Sequence, residues 1–244
     1  MLNETELDMI LVGDSLGNVI LGYETTIQVT LDEMTIFSSA VKRGARSKFV
    51  VGDLPFGTYS TIKEGIGSAA HLFQNANIEA VKLEGGYPYI IDLIKRLTEI
   101  GIPVMGHIGL TPQSVHQQGG YYTHGKDLES ASKLITDAKN LEKAGAFALV
   151  LECVHSEVAR QITDELTIPT IGIGSGNHVD GHVLVINDLL RLGPGKTPKF
   201  CEPVADLYET KRELITDYIK KSNETIDYGE PTKVDLGHIE QLYN

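Results

Sequence analysis

Six short apolar runs recur along the chain, each punctuated at its end by glycine, an acid or histidine. They lie at residues 8–15, 48–53, 80–84, 102–107, 147–152 and 169–174. A short continuous apolar run without alternation is typical of a strand that is covered on both faces. Strands of this kind belong to parallel sheets, so the pattern restricts the chain to folds built around such a sheet.

Amphipathic segments separate these runs. Helices are predicted at residues 31–43, 62–75, 89–100, 128–144 and 156–166, with a closing helix at 203–221. Alternating strands and helices are typical of parallel βα units. A doubly wound sheet also alternates but usually concentrates its ligand groups at one crevice, whereas polar residues here end nearly every strand. The pattern favours an α/β fold of the TIM (β/α)8 type, whose active site is assembled from the ends of several strands.

The last quarter of the chain is compatible with two arrangements. Residues 183–186 could form a strand, or residues 182–192 could form a helix followed by a short strand near 199–201. We predict the second, because it keeps the βα spacing regular. Seven strands result where a TIM barrel has eight, so the first βα unit is predicted to be missing at the N-terminus. We therefore expect one truncated barrel domain over residues 1–222 and a polar tail over 223–244.

Composition narrows the class of partner. The formal net charge of −12 repels nucleic-acid backbones and anionic membrane surfaces, so neither is expected as a partner. No apolar run approaches the roughly 18 residues that a membrane-spanning helix needs. Cys153 and Cys201 provide neither a disulfide framework nor a zinc-type spacing, which fits a reducing compartment. We expect a cytoplasmic protein.

Ionisable residues end most of the predicted strands. They are Asp14, Asp53, Lys82, Glu84, His107 and Glu152. A barrel would bring them together at one mouth, where carboxylates crowded beside a lysine need a hard cation to offset their repulsion. Oxygen ligands favour Mg²⁺ or Mn²⁺ over zinc. The alternative is that the acids cap the following helices, which explains one such position more readily than the whole set.

Lys82 and Glu84 lie two positions apart and share one face if their segment is a strand. Burying an opposite-charge pair is costly unless a metal ion or an anionic substrate uses it. A surface salt pair at a strand end is the alternative.

Two further features receive structural interpretations. His178, Asp180 and His182 alternate like metal ligands but lie in a glycine-bearing loop, and Cys153 is expected to pack on the strand face opposite Glu152.

Several longer motifs together resemble the ketopantoate hydroxymethyltransferase family. They are residues 12–17 (VGDSLG), 81–86 (VKLEGG), the long glycine-bearing segment 106–120, 146–152 (AFALVLE) and 171–174 (IGIG). The match runs in order from about residue 8 to residue 202. The segment 106–120 follows a predicted strand, as mobile covers over barrel mouths commonly do.

The resemblance implies roles for individual positions. Asp14 and Asp53 would ligate Mg²⁺ or Mn²⁺, and through it the substrate, while Glu84 would complete the metal site directly or through water. Ser15 and Lys82 would hold the substrate carboxylate. Glu152 would accept a proton, with His107 close to the reacting groups. Tyr121, Tyr122, His116 and His124 could line a folate pocket, although aromatic residues are common in exposed loops.

The implied reaction belongs to pantothenate biosynthesis. A hydroxymethyl group passes from 5,10-methylenetetrahydrofolate, the co-substrate, to the enolate of 3-methyl-2-oxobutanoate and gives 2-dehydropantoate. Family resemblance also suggests a homo-oligomer. Two alternatives stay open at this point. One is another Mg²⁺-dependent lyase or mutase of the phosphoenolpyruvate mutase and isocitrate lyase type, although their cysteine-bearing catalytic loop is not found in this sequence. The other is an inactive truncated remnant.

Overall fold

The computed structural model describes residues 1–120 and 122–225 of the chain. The chain divides into two compact units. The first comprises Met1–Val185 together with Pro198–Cys201, and the second comprises Ile186–Thr197 and, among the described residues, 202–225. Most of the expected tail, from residue 226 on, lies outside the described residues, so the domain boundary at residue 222 stays a prediction.

Seven parallel strands form one sheet in the order in which they occur along the chain. They are β1 (Met9–Val12), β2 (Phe49–Asp53), β3 (Ala80–Lys82), β4 (Val104–Gly109), β5 (Ala148–Glu152), β6 (Thr170–Ile173) and β7 (Gly181–His182). All belong to the first unit. The parallel α/β architecture and the first six predicted strands are confirmed.

The five helices predicted between strands and the closing helix are present, with ends shifted by up to a few residues, whereas the short helices Leu16–Val19 and Val115–Gln118 were not predicted. The α-helices are α1 (Leu16–Val19), α2 (Leu31–Gly44), α3 (Ile62–Ala76), α4 (Pro88–Glu99), α5 (Val115–Gln118), α6 (Leu128–Lys143), α7 (Ser156–Glu165), α8 (Ile186–Leu189) and α9 (Leu207–Thr225). Shorter 3-10 turns lie at Leu2–Glu4, Thr26–Gln28 and Pro112–Ser114. Capping side chains set three of the starts: Thr30, Thr61 and Asp127 each accept a hydrogen bond from the backbone three residues on.

The seventh strand corrects the prediction for the last quarter. A strand is expected near residues 199–201, but β7 lies at Gly181–His182, and the segment 174–180 that joins it to β6 contains no helix. The Asp180 carboxylate accepts hydrogen bonds from Thr170 N at 2.8 Å and Thr170 Oγ1 at 3.0 Å. These bonds hold the chain beside β6 directly after a glycine loop, so the regular βα spacing was the wrong assumption. Of the helix predicted over 182–192, only α8 forms.

The sheet curls into an incomplete barrel. Strands β2 and β5 are three positions apart, which would separate them by about 14 Å in a flat sheet. The rings of Phe49 on β2 and Phe147 before β5 nevertheless lie 5.6 Å apart, edge to face. Curvature therefore brings their shared face together into a small inner core, while a larger core lies between the sheet and its helices. Among the described strands, no pairing joins β7 to β1.

The carboxyl ends of parallel strands meet at one edge of the sheet. This geometry gathers side chains from distant parts of the sequence around the concave mouth of the barrel. In the part of the chain that the structure describes, none of the helices combines the length and the apolarity needed to cross a membrane.

Two glycines of α3 offer a test of the packing between α3 and α4. A Cβ built at Gly65 would overlap the fully buried side chain of Leu93, whereas one at Gly67 would meet open space. We expect Gly65→Ala to lower the free energy of unfolding by about 1–3 kcal/mol through overpacking. Gly67→Ala, the control on the same helix, should raise it by about 0.5–1 kcal/mol because alanine favours the helix. Urea denaturation measures both, and equal effects would contradict the helix packing described here.

Candidate active site

The strand ends place the sequence-predicted ionisable residues around one mouth. Asp53, Lys82 and Glu152 are the last residues of β2, β3 and β5, and His107 lies within β4. Asp14 and Glu84 each follow a strand by two positions. All are buried except Glu152, whose side chain keeps 17% of its exposure. The capping alternative is therefore wrong for Asp14, Asp53 and Glu84, because these side chains are buried together at the mouth.

Lys82 links the acids to the histidine. Its Nζ lies 2.9 Å from Oδ1 of Asp53 and 3.5 Å from Nδ1 of His107. The neighbouring register of β2 and β3, which pairs Asp53 with Lys82, makes the first contact possible. Lys82 is 4% exposed. It is thus a buried cation within the site, and the surface salt pair considered for Lys82 and Glu84 is wrong.

His107 lies between two carboxylates. Its Nδ1 is 3.4 Å from Oε1 of Glu84, and its Nε2 is 3.2 Å from Oε2 of Glu152. The ring therefore connects a buried acid of the site with the partly exposed Glu152. The arrangement is suited to holding a proton next to Glu152.

Asp14 and Asp53 approach each other through the turn that follows β1. The backbone N–H of Asp14 donates to Oδ2 of Asp53 at 3.1 Å. A Cβ at Gly13 would lie only 3.1 Å from Oγ of Ser15, which is a tight contact, and 3.5 Å from the same carboxylate oxygen, which is an ordinary one. Ser15 is partly buried beside this turn and precedes α1 without capping it.

Two further residues belong to the site and were not predicted. Gln113 and Tyr59 are buried, and Gln113 contacts Asp14 and Glu84 directly, while Oη of Tyr59 lies 2.5 Å from Oε1 of Gln113. Gln113 lies in the glycine-bearing segment after β4, the kind of segment that commonly covers a barrel mouth. An isolated glutamine or tyrosine in a polar loop has no pattern of its own that distinguishes it from a surface residue.

Burial and mutual repulsion dominate the charges of the first two acids. Burial, followed by the negative charges of Asp53 and Glu84, raises the pKa of Asp14 to about 8. Burial also raises the pKa of Asp53, although Lys82 opposes the shift. Both acids therefore hold their protons more tightly than free carboxylic acids do.

The other groups of the site are shifted towards their charged forms. Burial lowers the pKa of Lys82, but the carboxylates of Asp53, Glu84 and Asp14 outweigh it and raise the pKa. Burial and Lys82 disfavour a charged His107, yet hydrogen bonds to Glu152 and Glu84 raise its pKa to about 9. Burial would raise the pKa of Glu84, but contacts with His107 and Lys82 lower it. His107 is therefore an imidazolium at neutral pH.

The donor set suits a hard divalent cation by its chemistry. Asp14, Asp53 and Glu84 supply buried carboxylate oxygens, the ligands that Mg²⁺ and Mn²⁺ prefer. The raised pKa of Asp14 reflects its burial first and then the negative charges of Asp53 and Glu84, which Lys82 only partly offsets. Within residues 1–120 and 122–225, however, no group of three His, Cys, Asp or Glu side chains is already arranged as a ligand set. The acids are instead held by Lys82 and Gln113.

The other sequence candidates take different places. Asp180 bonds to Thr170, as its structural interpretation predicts. Cys153 is partly exposed, and burial raises the pKa of its thiol to about 11, which disfavours a nucleophile. His124 stacks on Tyr122 with ring centroids 4.3 Å apart. Tyr121 lies outside the described residues, so a folate pocket in this segment stays a prediction.

The charge of His107 generates a prediction about pH. Its pKa is raised from 6.5 to about 9, so the folded protein binds this proton more tightly than the unfolded chain does. The stabilisation is complete below about pH 6.5 and is lost as the pH rises through about 9. The raised pKa of Asp14 acts in the same direction. We expect the metal-free protein to lose up to about 3 kcal/mol of stability over this interval through His107.

Thermal denaturation followed by circular dichroism between about pH 6 and pH 10 measures this loss. The His107→Asn variant should show a flatter dependence of Tm on pH than the parent. His71→Asn, at an exposed position of α3, is the matched control and should keep the parent slope. Identical slopes for the parent and the His107 variant would contradict the assigned imidazolium.

Comparison with known proteins identifies the family of the chain. The family model for ketopantoate hydroxymethyltransferase matches residues 1–226. The chain is 52% identical to the 3-methyl-2-oxobutanoate hydroxymethyltransferase of Syntrophomonas wolfei over 219 residues, which are 89% of this chain and 79% of that protein. It is 49% identical to the enzyme of the same name from Leptospira interrogans, over 91% of this chain and 84% of that protein.

A solved structure supports the fold independently. The crystal structure of 2,3-dimethylmalate lyase, a member of the PEP mutase/isocitrate lyase superfamily, aligns with a TM-score of 0.54 at 15% identity, over 98% of this chain and 85% of that one. At this identity the likeness concerns the fold alone. The family match and the close relatives carry the assignment: this chain belongs to the ketopantoate hydroxymethyltransferase family.

Proposed function

We propose that this protein transfers a hydroxymethyl group to 3-methyl-2-oxobutanoate and forms 2-dehydropantoate, the reaction named for its relatives. The observation that carries the proposal is the contact between the buried His107 and the partly exposed Glu152, beside the Lys82 ammonium. It combines a proton acceptor with a cation for a 2-oxo acid at one mouth. The co-substrate is 5,10-methylenetetrahydrofolate, and one water supplies the hydroxyl oxygen.

Lys82 and Ser15 bind the substrate carboxylate in this proposal. Lys82 is buried and kept charged by the acids around it, so it offers a fixed positive charge in a poorly solvated place. The site already holds Asp14, Asp53 and Glu84, and a substrate carboxylate adds to their repulsion. A divalent cation must therefore accompany the substrate.

Asp14, Asp53 and Glu84 would hold Mg²⁺ or Mn²⁺. When bound, the cation polarises the 2-oxo group and so makes the proton on C3 more acidic. The protein contributes the placement of the acids and the exclusion of water, since these side chains are buried. Their burial strengthens every charge interaction in the site.

Glu152 removes the C3 proton in the proposed mechanism. Its Oε2 lies 3.2 Å from Nε2 of His107, so the imidazolium orients the carboxylate and leaves Oε1 to accept the proton. The partial exposure of Glu152 places it at the open side of the site. Water replaces both bonds of the methylene carbon to the folate nitrogens, which releases tetrahydrofolate and leaves a one-carbon unit at the oxidation level of formaldehyde. The C3 carbanion equivalent then forms a carbon–carbon bond to that carbon, and its oxygen takes up a proton to become the hydroxyl group.

The wider setting of the reaction follows from the same proposal. A net charge of −12 supports small-molecule substrates over nucleic acids or membrane surfaces as partners. We infer a cytoplasmic homo-oligomer acting in pantothenate biosynthesis, as the family resemblance implies.

Exchange of the C3 proton tests the role of Glu152. Incubated with 3-methyl-2-oxobutanoate and Mg²⁺ in D₂O, the protein should incorporate deuterium at C3, measured by proton NMR. Glu152→Gln should slow this exchange by about 10²–10⁴-fold, because it removes the proton acceptor but keeps the shape. Glu157→Gln, an exposed control on α7, should exchange like the parent. Absence of exchange in the folded parent would contradict the enzymatic proposal and favour an inactive protein.

Removal of the metal tests the cation. Chelation with EDTA should abolish C3 exchange, and Mg²⁺ or Mn²⁺ should restore it, since the oxygen donors favour hard ions. The same ions should raise the Tm of the metal-free protein through preferential binding to the folded state. Exchange that persists in EDTA would contradict the proposed role.

Addition of methylenetetrahydrofolate then separates the transferase from a lyase or mutase, because only the transferase gives 2-dehydropantoate in a folate-dependent step.

A further inference from the structure

Gln113 lies at the centre of the acidic cluster although it carries no charge. It belongs to the short turn Pro112–Ser114 that follows β4 and is 4% exposed. Asp14, with which it bonds, lies 99 positions away in the sequence. The turn thus brings a neutral amide from one loop into contact with acids from two others.

Every hydrogen-bonding group of the Gln113 side chain is engaged. Nε2 donates to Oδ2 of Asp14 at 2.8 Å and to the carbonyl oxygen of Leu54 at 2.9 Å. Oε1 accepts from the hydroxyl of Tyr59 at 2.5 Å. The carbonyl of Leu54 can only accept, so it requires the amide nitrogen on its side. Tyr59 then donates to the amide oxygen, and the orientation of the amide is determined.

The backbone of Gln113 engages a second acid. Its N–H donates to Oε2 of Glu84 at 3.1 Å, while Oε1 of Glu84 faces His107. One residue therefore restrains one oxygen of Asp14 and one of Glu84 and leaves the second oxygen of Asp14 for another partner. Glutamate in its place would set an acceptor against the carboxylate of Asp14 and the carbonyl of Leu54, so an amide is required.

We propose that Gln113, oriented by Tyr59, is a positioning residue that sets the Asp14 and Glu84 carboxylates for the cation. Docking of the Pro112–Ser114 turn and assembly of the carboxylate set are then one event. The inference deepens the proposed function, because it rests on a cation at these acids. In the opposite arrangement, Gln113 takes the place of the cation and must leave before the ion binds. Variants that lack the Gln113 side chain would then bind the cation more tightly, not more weakly.

Binding of Mn²⁺ to the substrate-free protein measures the effect. By isothermal titration calorimetry, Gln113→Ala and Gln113→Glu should weaken Mn²⁺ binding by about 10–100-fold, as expected when a residue that orients a ligand is lost. Gln117→Ala is the matched control, since Gln117 lies exposed on α5 in the same segment. Parent-like or tighter Mn²⁺ binding by Gln113→Ala would overturn the proposal.

Hydrogen exchange of the metal-free protein provides a readout that needs neither cation nor activity. Loss of the Gln113 side chain should raise amide exchange in the peptides that contain residues 110–117 and 54–59, by about 10-fold or more. Unchanged exchange would overturn the docking. Tyr59→Phe removes only the hydroxyl that orients Gln113 and keeps the ring. If Gln113→Ala does not fold, weaker Mn²⁺ binding by Tyr59→Phe supports the positioning role and parent-like binding contradicts it. In the double variant, Tyr59→Phe should add nothing to Gln113→Ala, whereas additive losses of Mn²⁺ affinity would show that Tyr59 does not act through Gln113.

The two proposals fail in different ways. A parent protein that binds Mn²⁺ but gives no C3 exchange contradicts the proposed function, while a Gln113-dependent Mn²⁺ affinity in that protein still supports the positioning role. A parent that exchanges C3 protons, with Gln113→Ala matching its Mn²⁺ affinity, overturns only the positioning role. A substrate-free parent that binds no Mn²⁺ overturns the positioning role, and the proposed function fails with it only if C3 exchange is also absent when substrate and metal are both present.

Discussion

A lysine ammonium buried among carboxylates is the interaction on which the candidate site depends. Without Lys82, the Asp53 carboxylate would lie in a poorly solvated place with no strong positive partner, which costs several kcal/mol in typical proteins. The strand register supplies the pairing, because Asp53 and Lys82 are neighbours across β2 and β3. The remaining acids then arrange around this pair, with His107 as the second cation.

Curvature of the sheet brings the other site residues close to the pair of Asp53 and Lys82. The close approach of Phe49 and Phe147 shows strands three positions apart drawn together on the inner face. The same bend brings the ends of β1 to β5 around one mouth, which a flat sheet would spread over about 19 Å. This crowding of carboxylates suits a further cation and is the feature of the fold that supports the proposed metal-dependent chemistry on a 2-oxo acid.

Sequence patterns predicted most of the architecture because the strands are short apolar runs and most of them are followed by a polar residue. Asp14, Asp53, Lys82, Glu84, His107 and Glu152 were predicted as one set from their places at strand ends, and the structure brings them together. The last strand was misplaced, because Asp180 captures the Thr170 amide and pairs the chain with β6 without an intervening helix. Gln113 and Tyr59 were missed, since nothing in a polar loop marks a residue that will be buried.

The sequence by itself determined the alternation of strands and helices, the residue types at the strand ends and the family. These depend on local periodicity and on side-chain chemistry, both of which follow directly from the order of the residues. Only the tertiary structure decided which acids contact His107, which oxygen of Asp14 Gln113 restrains and where the sheet ends. Those properties arise from contacts between residues as much as 99 positions apart, whose geometry depends on how the whole chain packs.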